Sequence, residues 1–190
     1  LLNKAYKSNI RIINNVSVES YEDIGPSVKV NTNQFTISCN KLFIATNGFS
    51  ESIIQEKVVP ARAQVLITKP IKNLKVIGTF HFQQGYYYFR NIDDRILLGG
   101  GRNLDFHIEN TNQFGVTDTI QSKLEQLLTD VILPQSNFEI EQRWSGIMGI
   151  GNKKNTITKQ LSNNVYCGVR LGGMGVAIGT NIGSELANLI

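Results

Sequence analysis

The sequence is short of the residue types on which several classes of function depend. It has only two cysteines and two histidines in 190 residues, and His81 and His107 lie far apart in the chain. A metal site needs several such ligands close together, so the sequence predicts none. Cys39 and Cys167 each lie in an apolar, strand-like stretch. This favours buried free thiols in a reducing, cytoplasmic compartment over a disulfide.

Long apolar runs and basic stripes are also missing. No apolar stretch reaches the ~18 residues of a membrane-spanning helix, and no signal-peptide pattern occurs, so we expect no membrane partner. The net charge is +4, but the 19 Lys and Arg are scattered, and the densest group is Lys69, Lys72 and Lys75. Binding to a phosphate backbone would need a basic stripe interleaved with aromatic residues, so we expect no nucleic-acid partner.

The bulk composition is that of a folded chain. Hydrophobic residues make up 41% and charged residues 18%, which is enough for a core within one domain, or one domain and part of another. The chain begins Leu1-Leu2-Asn3-Lys4-Ala5, without an initiator Met and in a helical pattern. We therefore expect a fragment of a longer protein.

The first sixty residues predict short strands after the end of a helix at residues 1–8. Clusters of Gly, Pro and Asn separate three strands and predict an antiparallel meander: Val16–Tyr21, Val28–Val30 and Phe35–Ser38. The apolar run Lys41–Thr46 predicts a buried strand that enters a tight turn at Asn47-Gly48. A short helical piece is expected near Ser50 to Gln55.

The middle of the chain predicts a sheet followed by a helix. Four strands recur at roughly ten-residue spacing: Val65–Thr68, Val76–Phe82, Tyr86–Arg90 and Arg95–Gly99. From Thr117 to Val131 the apolar positions fall on one helical face, namely Ile120, Leu124, Leu127, Leu128 and Val131. Thr117 or Asp118 is expected to cap the start of this helix, and Pro134 follows its end. Phe138–Trp144 returns to strand, with Trp144 expected in the core.

The last forty residues predict a strand, a glycine turn and a helix. The strand is Val165–Val169, the turn is Gly172–Gly175, and the helix runs from Val176 to Ile190. Five positions of the helix have core spacing: Ile178, Ile182, Leu186, Leu189 and Ile190. Bare backbone at a helix N-terminus offers N–H groups and partial positive charge to a group that becomes negative in a reaction. The alternative is a turn that only allows close helix–strand packing.

A second glycine run, Gly99-Gly100-Gly101, allows two interpretations. It fits a bulge where a strand leaves the sheet, and it also fits a place where a ligand ring lies against bare backbone; we favour the first.

Taken in order, six segments resemble the C-terminal half of the FAD-dependent D-amino-acid-oxidase-like family. That family includes sarcosine, glycine and γ-glutamylputrescine oxidases. The segments cover nearly the whole chain: I-I-N-N-V-S-V-E (12–19), K-L-F-I-A-T-N-G (41–48), V-V-P-A-R-A-Q-V-L (58–66), G-Y-Y-Y-F-R with I-L-L-G-G-G-R (85–90, 96–102), R-W-S-G-I-M-G (143–149) and L-G-G-M-G-V-A (171–177).

The resemblance implies a mixed α/β (α+β) fold in two parts. Residues 1–58 and 140–190 would form the remnant of a Rossmann-like FAD-binding domain, and residues 59–139 a substrate domain with a mixed, largely antiparallel sheet. The strand with G-x-G-x-x-G that holds the pyrophosphate is absent, so these residues alone are expected to be inactive.

The resemblance also implies which residues hold the cofactor. FAD would be noncovalent, because Gly146 to Gly149 offers no Cys for attachment. Its ligands would be Val16, Ala45, Thr46, Asn47, Gly48, Gly172, Gly173, Met174, Gly175 and Val176. Sarcosine-oxidising relatives carry an oxygen-activating Lys near the position of Leu98, so the resemblance leaves both an oxidase and a dehydrogenase open. No catalytic side chain is assigned.

Strand parity gives the candidate substrate residues. Tyr86, Tyr88 and Arg90 share one face, where an Arg among tyrosines could hold a substrate carboxylate bidentately. The alternative is that Arg90 pairs with Asp93 or Asp94 at the hairpin end. Weaker candidates for a functional arginine are Arg102, Arg143 and Arg170. Met148, where glycine-oxidising relatives carry Arg, completes the predicted substrate site.

The function implied is hydride transfer from an amine or amino-acid C–N carbon to flavin N5, with a small-molecule amine or amino acid as the substrate. Two other hypotheses stay open. One is a noncatalytic β-rich binding domain, and the other is a flavoenzyme acting on the C–O bond of a 2-hydroxy acid.

Overall fold

Short strands dominate the chain because β-branched and aromatic residues alternate with polar ones between Gly, Pro and Asn turns. A computed structural model describes residues 1–190. The strands are β1 (Val18–Asp23), β2 (Val28–Thr32), β3 (Thr36–Cys39), β4 (Leu42–Ile44), β5 (Val59–Thr68), β6 (Thr79–Phe82), β7 (Tyr87–Ile92), β8 (Arg95–Gly100), β9 (Ile140–Ile150), β10 (Ile157–Ser162) and β11 (Val165–Val169). The α-helices are α1 (Leu2–Lys7), α2 (Phe106–Glu109), α3 (Asp118–Leu127) and α4 (Gly175–Ala187).

Two small sheets pack together and form one core. The predicted meander is confirmed as an antiparallel sheet in the order β1-β2-β3. The second sheet has the order β10-β11-β4, in which β11 pairs antiparallel with β10 and parallel with β4. Every residue of β11 is buried, as its unbroken apolar sequence predicts. The shared core includes Val28, Val30, Ile44, Val165 and Val169.

A larger, fully antiparallel sheet has the order β6-β7-β8-β5-β9. All four strands predicted between residues 65 and 99 are present, although the strand predicted from Val76 begins only at Thr79. β9 pairs along the whole of β5, from Val59 opposite Ile150 to Thr68 opposite Ile140. The sheet of the predicted substrate domain therefore continues through residues 140–150, and the mixed α/β class is confirmed.

Helix α3 covers one face of this sheet, and a π-turn changes its register. Ile120, Leu124, Leu127 and Leu128 are buried as predicted. The helix continues as a π-turn over Leu128–Ile132, in which Leu133 N donates to Leu128 O at 2.8 Å. The extra residue in this turn rotates the following positions. The prediction for Val131 is therefore wrong, since it is half exposed while Ile132 is buried.

A buried polar network fixes α2 and α3 on the sheet. The guanidinium of Arg62 donates to both carboxylate oxygens of Glu109, at 2.9 and 3.0 Å. Gln64 and the Thr117 hydroxyl donate to the same carboxylate at 2.9 and 3.1 Å. Thr117 therefore occupies the N-cap position of α3 without a side-chain capping bond, because its hydroxyl bonds to this network.

Three other predictions need correction. The predicted helical piece at Ser50–Gln55 is only a turn, in which Ser50 O accepts from Ile53 N and Ile54 N after a 3₁₀ turn at Asn47–Phe49. Helix α4 ends at Ala187, and Leu189 and Ile190, which follow it, are exposed rather than in the core. Trp144 is not in the core: it is 37% exposed, because it lies on the sheet face opposite α3.

Both cysteines are free thiols. Cys167 is buried in β11, where burial raises the pKa of its thiol. Cys39 is only half-buried, at the end of β3. No helix of the structure has both the length and the apolar character needed to cross a membrane.

Candidate functional site

Three segments that are distant in sequence meet at what we call the glycine junction, formed by Asn47-Gly48, Met148-Gly149 and Leu171–Gly173. The Asn47 side-chain oxygen accepts a hydrogen bond from Leu171 N at 3.0 Å. Gly172 N donates to Gly149 O at 2.9 Å. These bonds join the turn after β4, the end of β9 and the turn before α4. Two of the predicted cofactor segments and the predicted substrate residue Met148 are therefore neighbours.

The junction is close enough that two of its glycines leave no room for a side chain. A Cβ atom on Gly48 would lie 2.7 Å from the Met148 carbonyl oxygen. A Cβ atom on Gly149 would lie 2.6 Å from the Asn47 side-chain oxygen. Gly48 and Gly149 therefore allow a close backbone approach that no other residue would permit.

The side of the junction that faces α4 is open. A Cβ atom on Gly172 would have nothing within 4 Å, and one on Gly173 would first meet Met148 Sδ at 3.6 Å. Met174 is the N-cap residue and forms no side-chain capping bond. No oxygen of the chain accepts from the N–H groups of Gly173, Gly175 or Val176. The N-terminus of α4 thus presents free donors and about half a positive elementary charge to open space.

A cleft of about 290 Å³, the sheet cleft, lies between β6–β8 and the turn before α4. Antiparallel pairing places Thr79 opposite Arg90 and His81 opposite Tyr88, so these four side chains share one face. The lining is completed by three residues: Phe89, Leu97 and Gly173. The predicted substrate residues Tyr88 and Arg90 are therefore brought together with the predicted cofactor residue Gly173.

Arg90 is the one predicted arginine without a partner. It belongs to none of the five ion pairs and donates no side-chain hydrogen bond, so the alternative pairing with Asp93 or Asp94 does not occur. The other candidate arginines contact residues of this chain. Arg143 binds Gln121 and Glu125, Arg170 binds the carbonyl of Asn155, and Arg102 binds Asn110 and lies over the Phe106 ring.

Tyr88 reaches across the sheet toward Gly99. Its hydroxyl lies 2.5 Å from where a Gly99 Cβ would stand, so the ring rests on bare backbone. Burial raises the pKa of the Tyr88 phenol, which therefore stays protonated and able to donate. The ring over Gly99 belongs to the chain itself, and β8 ends at Gly100 with φ +124°, which favours the strand-end interpretation of this glycine run.

Two predicted substrate residues, Tyr86 and Met148, do not line the sheet cleft. Tyr86 is in the turn before β7, half exposed, and does not line the sheet cleft. Met148 lies on β9, with its sulfur beside Gly173.

A second cleft of about 570 Å³, the meander cleft, is lined by three further predicted cofactor residues. Val16 lines it just before β1, together with Thr46 and Gly48 from the turn after β4. Its other lining residues are Ser17, Val18, Phe49, Glu51, Ser52, Ile53 and Asn112. Ala45 is exposed next to Thr46 and does not line the cleft.

Sequence reasoning missed several of these lining residues. Thr79 and His81 could have been found by pairing the predicted strands through the Gln83–Tyr86 turn, which sets His81 opposite Tyr88. Asn112 comes from the segment between α2 and α3, and no local pattern connects it with Val16.

Comparison with known proteins identifies a family. The family model described as FAD dependent oxidoreductase matches residues 1–189 of the chain. No curated protein matches the chain.

Solved structures share the fold at low identity. The L-proline dehydrogenase from P. horikoshii superposes with a TM-score of 0.82 at 22% identity, covering 98% of this chain and 52% of that one. The glycine oxidase from Bacillus cereus has a TM-score of 0.79 at 14% identity, covering 97% and 53%. The L-amino acid deaminase from Proteus vulgaris has a TM-score of 0.74 at 17% identity, covering 98% and 48%. The chain spans about half the length of these structures.

Proposed function

The chain belongs to the FAD dependent oxidoreductase family, and on this premise we propose that the complete protein oxidises the C–N bond of an amino acid or amine with noncovalently bound FAD. One observation carries the proposal. An unpaired arginine, Arg90, lines the same cleft as Gly173, beside the open N-terminus of α4. The names of the structural neighbours, a proline dehydrogenase, a glycine oxidase and an amino acid deaminase, agree with such a substrate.

The residues of this chain fit a dinucleotide cofactor at two places. Val16, Thr46 and Gly48 would hold its nucleotide end in the meander cleft, which has the volume of a ligand pocket. The free N–H groups of Gly173, Gly175 and Val176 would hold the edge of the ring that becomes negative on reduction. Noncovalent binding is supported because Gly146–Gly149 contains no cysteine and Cys167 is buried in β11.

When bound, FAD would supply the electron acceptor for an oxidation in which the C–N carbon of the substrate gives up a hydride, its nitrogen gives up a proton, and a C=N bond forms. Residues of this chain would orient the substrate for this oxidation. Arg90 can bind a substrate carboxylate through two parallel hydrogen bonds. Tyr88, which stays protonated, can donate to the same substrate. The α4 N-terminus favours the negative charge that develops near it.

We further propose that the complete protein, rather than these residues alone, is the active species, because the chain spans about half of its structural neighbours. A cytoplasmic location agrees with two free cysteines, since reducing compartments keep thiols unpaired.

The direct test is the colour of the purified full-length protein. We expect it to retain FAD after gel filtration and to lose its yellow absorbance when an amino acid is added without oxygen. A 2-hydroxy acid serves as the comparison. If only the hydroxy acid bleaches the protein, the bond that is oxidised is a C–O bond and not a C–N bond. A full-length protein that remains colourless with added FAD would contradict the proposal altogether.

The role of the α4 N-terminus is tested by Gly173→Asp. Its carboxylate would bind the free N–H groups and repel the ring edge, so the Kd for FAD should rise by about two- to fivefold, as charge at a helix end typically contributes about 0.3–1 kcal/mol. The matched control is Gly183→Asp, further along α4, where a new Cβ meets nothing within 4 Å. FAD affinity is measured by fluorescence titration. Equal affinities of the two variants would show that the N-terminus of α4 is not part of the cofactor site.

A further inference from the structure

Two polar residues of the sheet cleft, Thr79 and His81, have no role in the function proposed so far. Both lie on β6, where Thr79 pairs with Arg90 and His81 pairs with Tyr88. His81 and Arg90 are thus diagonal neighbours on adjacent antiparallel strands, with their side-chain bases roughly 7 Å apart. The two nitrogen-bearing side chains of the cleft stand next to each other on one face.

These side chains have no partner within the chain. Thr79, His81 and Arg90 form no side-chain hydrogen bond, and none of the five ion pairs includes His81 or Arg90. The seven residues that line the cleft include no carboxylate. An anionic ligand would therefore meet no competing carboxylate among the residues that line the cleft.

One carboxylate does not use all of these donors. The guanidinium of Arg90 matches both oxygens of a single carboxylate, and this leaves the imidazole of His81 and the hydroxyl of Thr79 free. The other walls do not compete for them, because Leu97 is apolar and the Phe89 ring stacks on Phe80 at 4.7 Å. A second acceptor on the ligand would face His81 and Thr79.

We propose that the sheet cleft selects an amino acid with a second carboxylate, which Arg90 binds at one end and His81, assisted by Thr79, at the other. This rests on the proposed function and names the substrate class of the same site. A carboxylate fits His81 and Thr79 better than an amide does, because both carboxylate oxygens accept hydrogen bonds, whereas an amide presents one acceptor and one NH₂ donor. His81 is therefore a specificity-determining residue.

Binding to the full-length holoprotein tests the inference without turnover. The probes are succinate, succinamate and butyrate, which carry two, one and one carboxylates and no amine. The imidazole NMR signals of His81 and His107 would be assigned with the variants His81→Gln and His107→Gln. We expect succinate to shift the His81 signal and leave that of His107 in place, with a Kd at least tenfold below those of the other two probes.

The His81→Gln variant gives the second readout. It should lower the preference for succinate over succinamate to less than threefold, whereas His107→Gln, at an exposed position of α2, should keep the full preference. Equal affinity for the three probes, a His81 signal that does not move, or a succinate preference that survives His81→Gln would each overturn the proposal. His81 is exposed, so we expect an unchanged thermal midpoint for the variant.

Failure of this inference can be separated from failure of the proposed function. If neutral amino acids reduce the yellow holoprotein as readily as acidic ones, the redox function is supported and the dicarboxylate specificity is contradicted. A full-length protein that binds no FAD would contradict the proposed function itself.

Discussion

At the scale of the residue, side-chain partners separate functional from structural arginines. Arg90 has no partner and lines the sheet cleft, whereas Arg102, Arg143 and Arg170 bind groups of this chain. An exposed guanidinium without a carboxylate partner is available to a ligand. This distinction depends on which side chains come within about 3 Å of each other, which local sequence does not reveal.

The pair Arg90→Met and Arg143→Met tests this distinction. In the full-length enzyme Arg90→Met should lower kcat/KM for the amino-acid substrate by about ten- to hundredfold, since hydrogen bonds to charged groups contribute about 1.5–3 kcal/mol. Its stability should change by about 0.5 kcal/mol or less, as for other surface substitutions.

Arg143→Met should behave in the opposite way. It loses bonds to Gln121 and Glu125 on the face that packs against α3, so urea unfolding should show reduced stability with kcat/KM nearly unchanged. Equal losses of kcat/KM in both variants would mean that Arg90 has no special role.

At the scale of the element, the π-turn at the end of α3 decides which side chain enters the core. An ideal α-helix would place Val131 on the face of Leu124, Leu127 and Leu128. The i→i+5 bond from Leu133 N to Leu128 O inserts one residue into the turn, and Ile132 enters the core instead.

This shift predicts unequal effects of two neighbouring substitutions. Ile132→Ala should destabilise the protein by about 2–4 kcal/mol, because it leaves a cavity beside a packed core. Val131→Ala should change stability by about 0.5 kcal/mol, because its side chain is half exposed. Urea denaturation of both variants measures the difference. A larger loss for Val131→Ala would show that the helix continues in α-register.

At the scale of the whole molecule, Asp23 links the meander to the β10–β11 hairpin. Ser162 Oγ and Asn164 N donate to one of its carboxylate oxygens at 2.6 and 2.9 Å, and Asn164 Nδ2 donates to the other at 3.0 Å. The hydrogen bond from Ser162, followed by those from Asn164, lowers the pKa of Asp23 to about 2 from its ordinary value of 3.8.

The lowered pKa predicts an acid-dependent contribution to stability. Since the pKa is lower in the folded state, the contribution is complete at pH values above the ordinary pKa and is lost as the pH falls through about 2. The thermal midpoint of Asp23→Asn should therefore lie below that of the natural protein at pH 6, and the gap should narrow between pH 4 and pH 2, roughly the interval between the two pKa values. A gap that does not vary with pH would show that charge on Asp23 plays no part in the link.

Much of the fold could be predicted because the relevant information is local. The meander, the four central strands, the start of α3 and the order of strand, glycine turn and helix at the C-terminus follow from hydrophobic period and turn residues. The errors occur where packing between elements decides the outcome. The prediction of Trp144 in the core is wrong, because its strand position places it on the sheet face opposite α3.

The candidate site was predictable to a similar extent. Tyr88 and Arg90 share a face because alternation along one strand is a local property, and the structure places both in the sheet cleft. The resemblance of six ordered segments pointed to Val16, Gly48 and Gly173, which line the two clefts. The roles of these residues toward FAD and substrate remain our proposal.

By itself the sequence determined the class of the fold, its family and the order of its elements, since periodicity, turn chemistry and ordered motifs are properties of neighbouring residues. Only the tertiary structure decided that Arg90 stays unpaired, that His81 stands beside it, and that the N-terminus of α4 remains open. These outcomes depend on strand register and on the placement of residues more than eighty positions apart, such as Arg90 and Gly173, which line one cleft. Neighbouring residues in the sequence carry no information about such contacts.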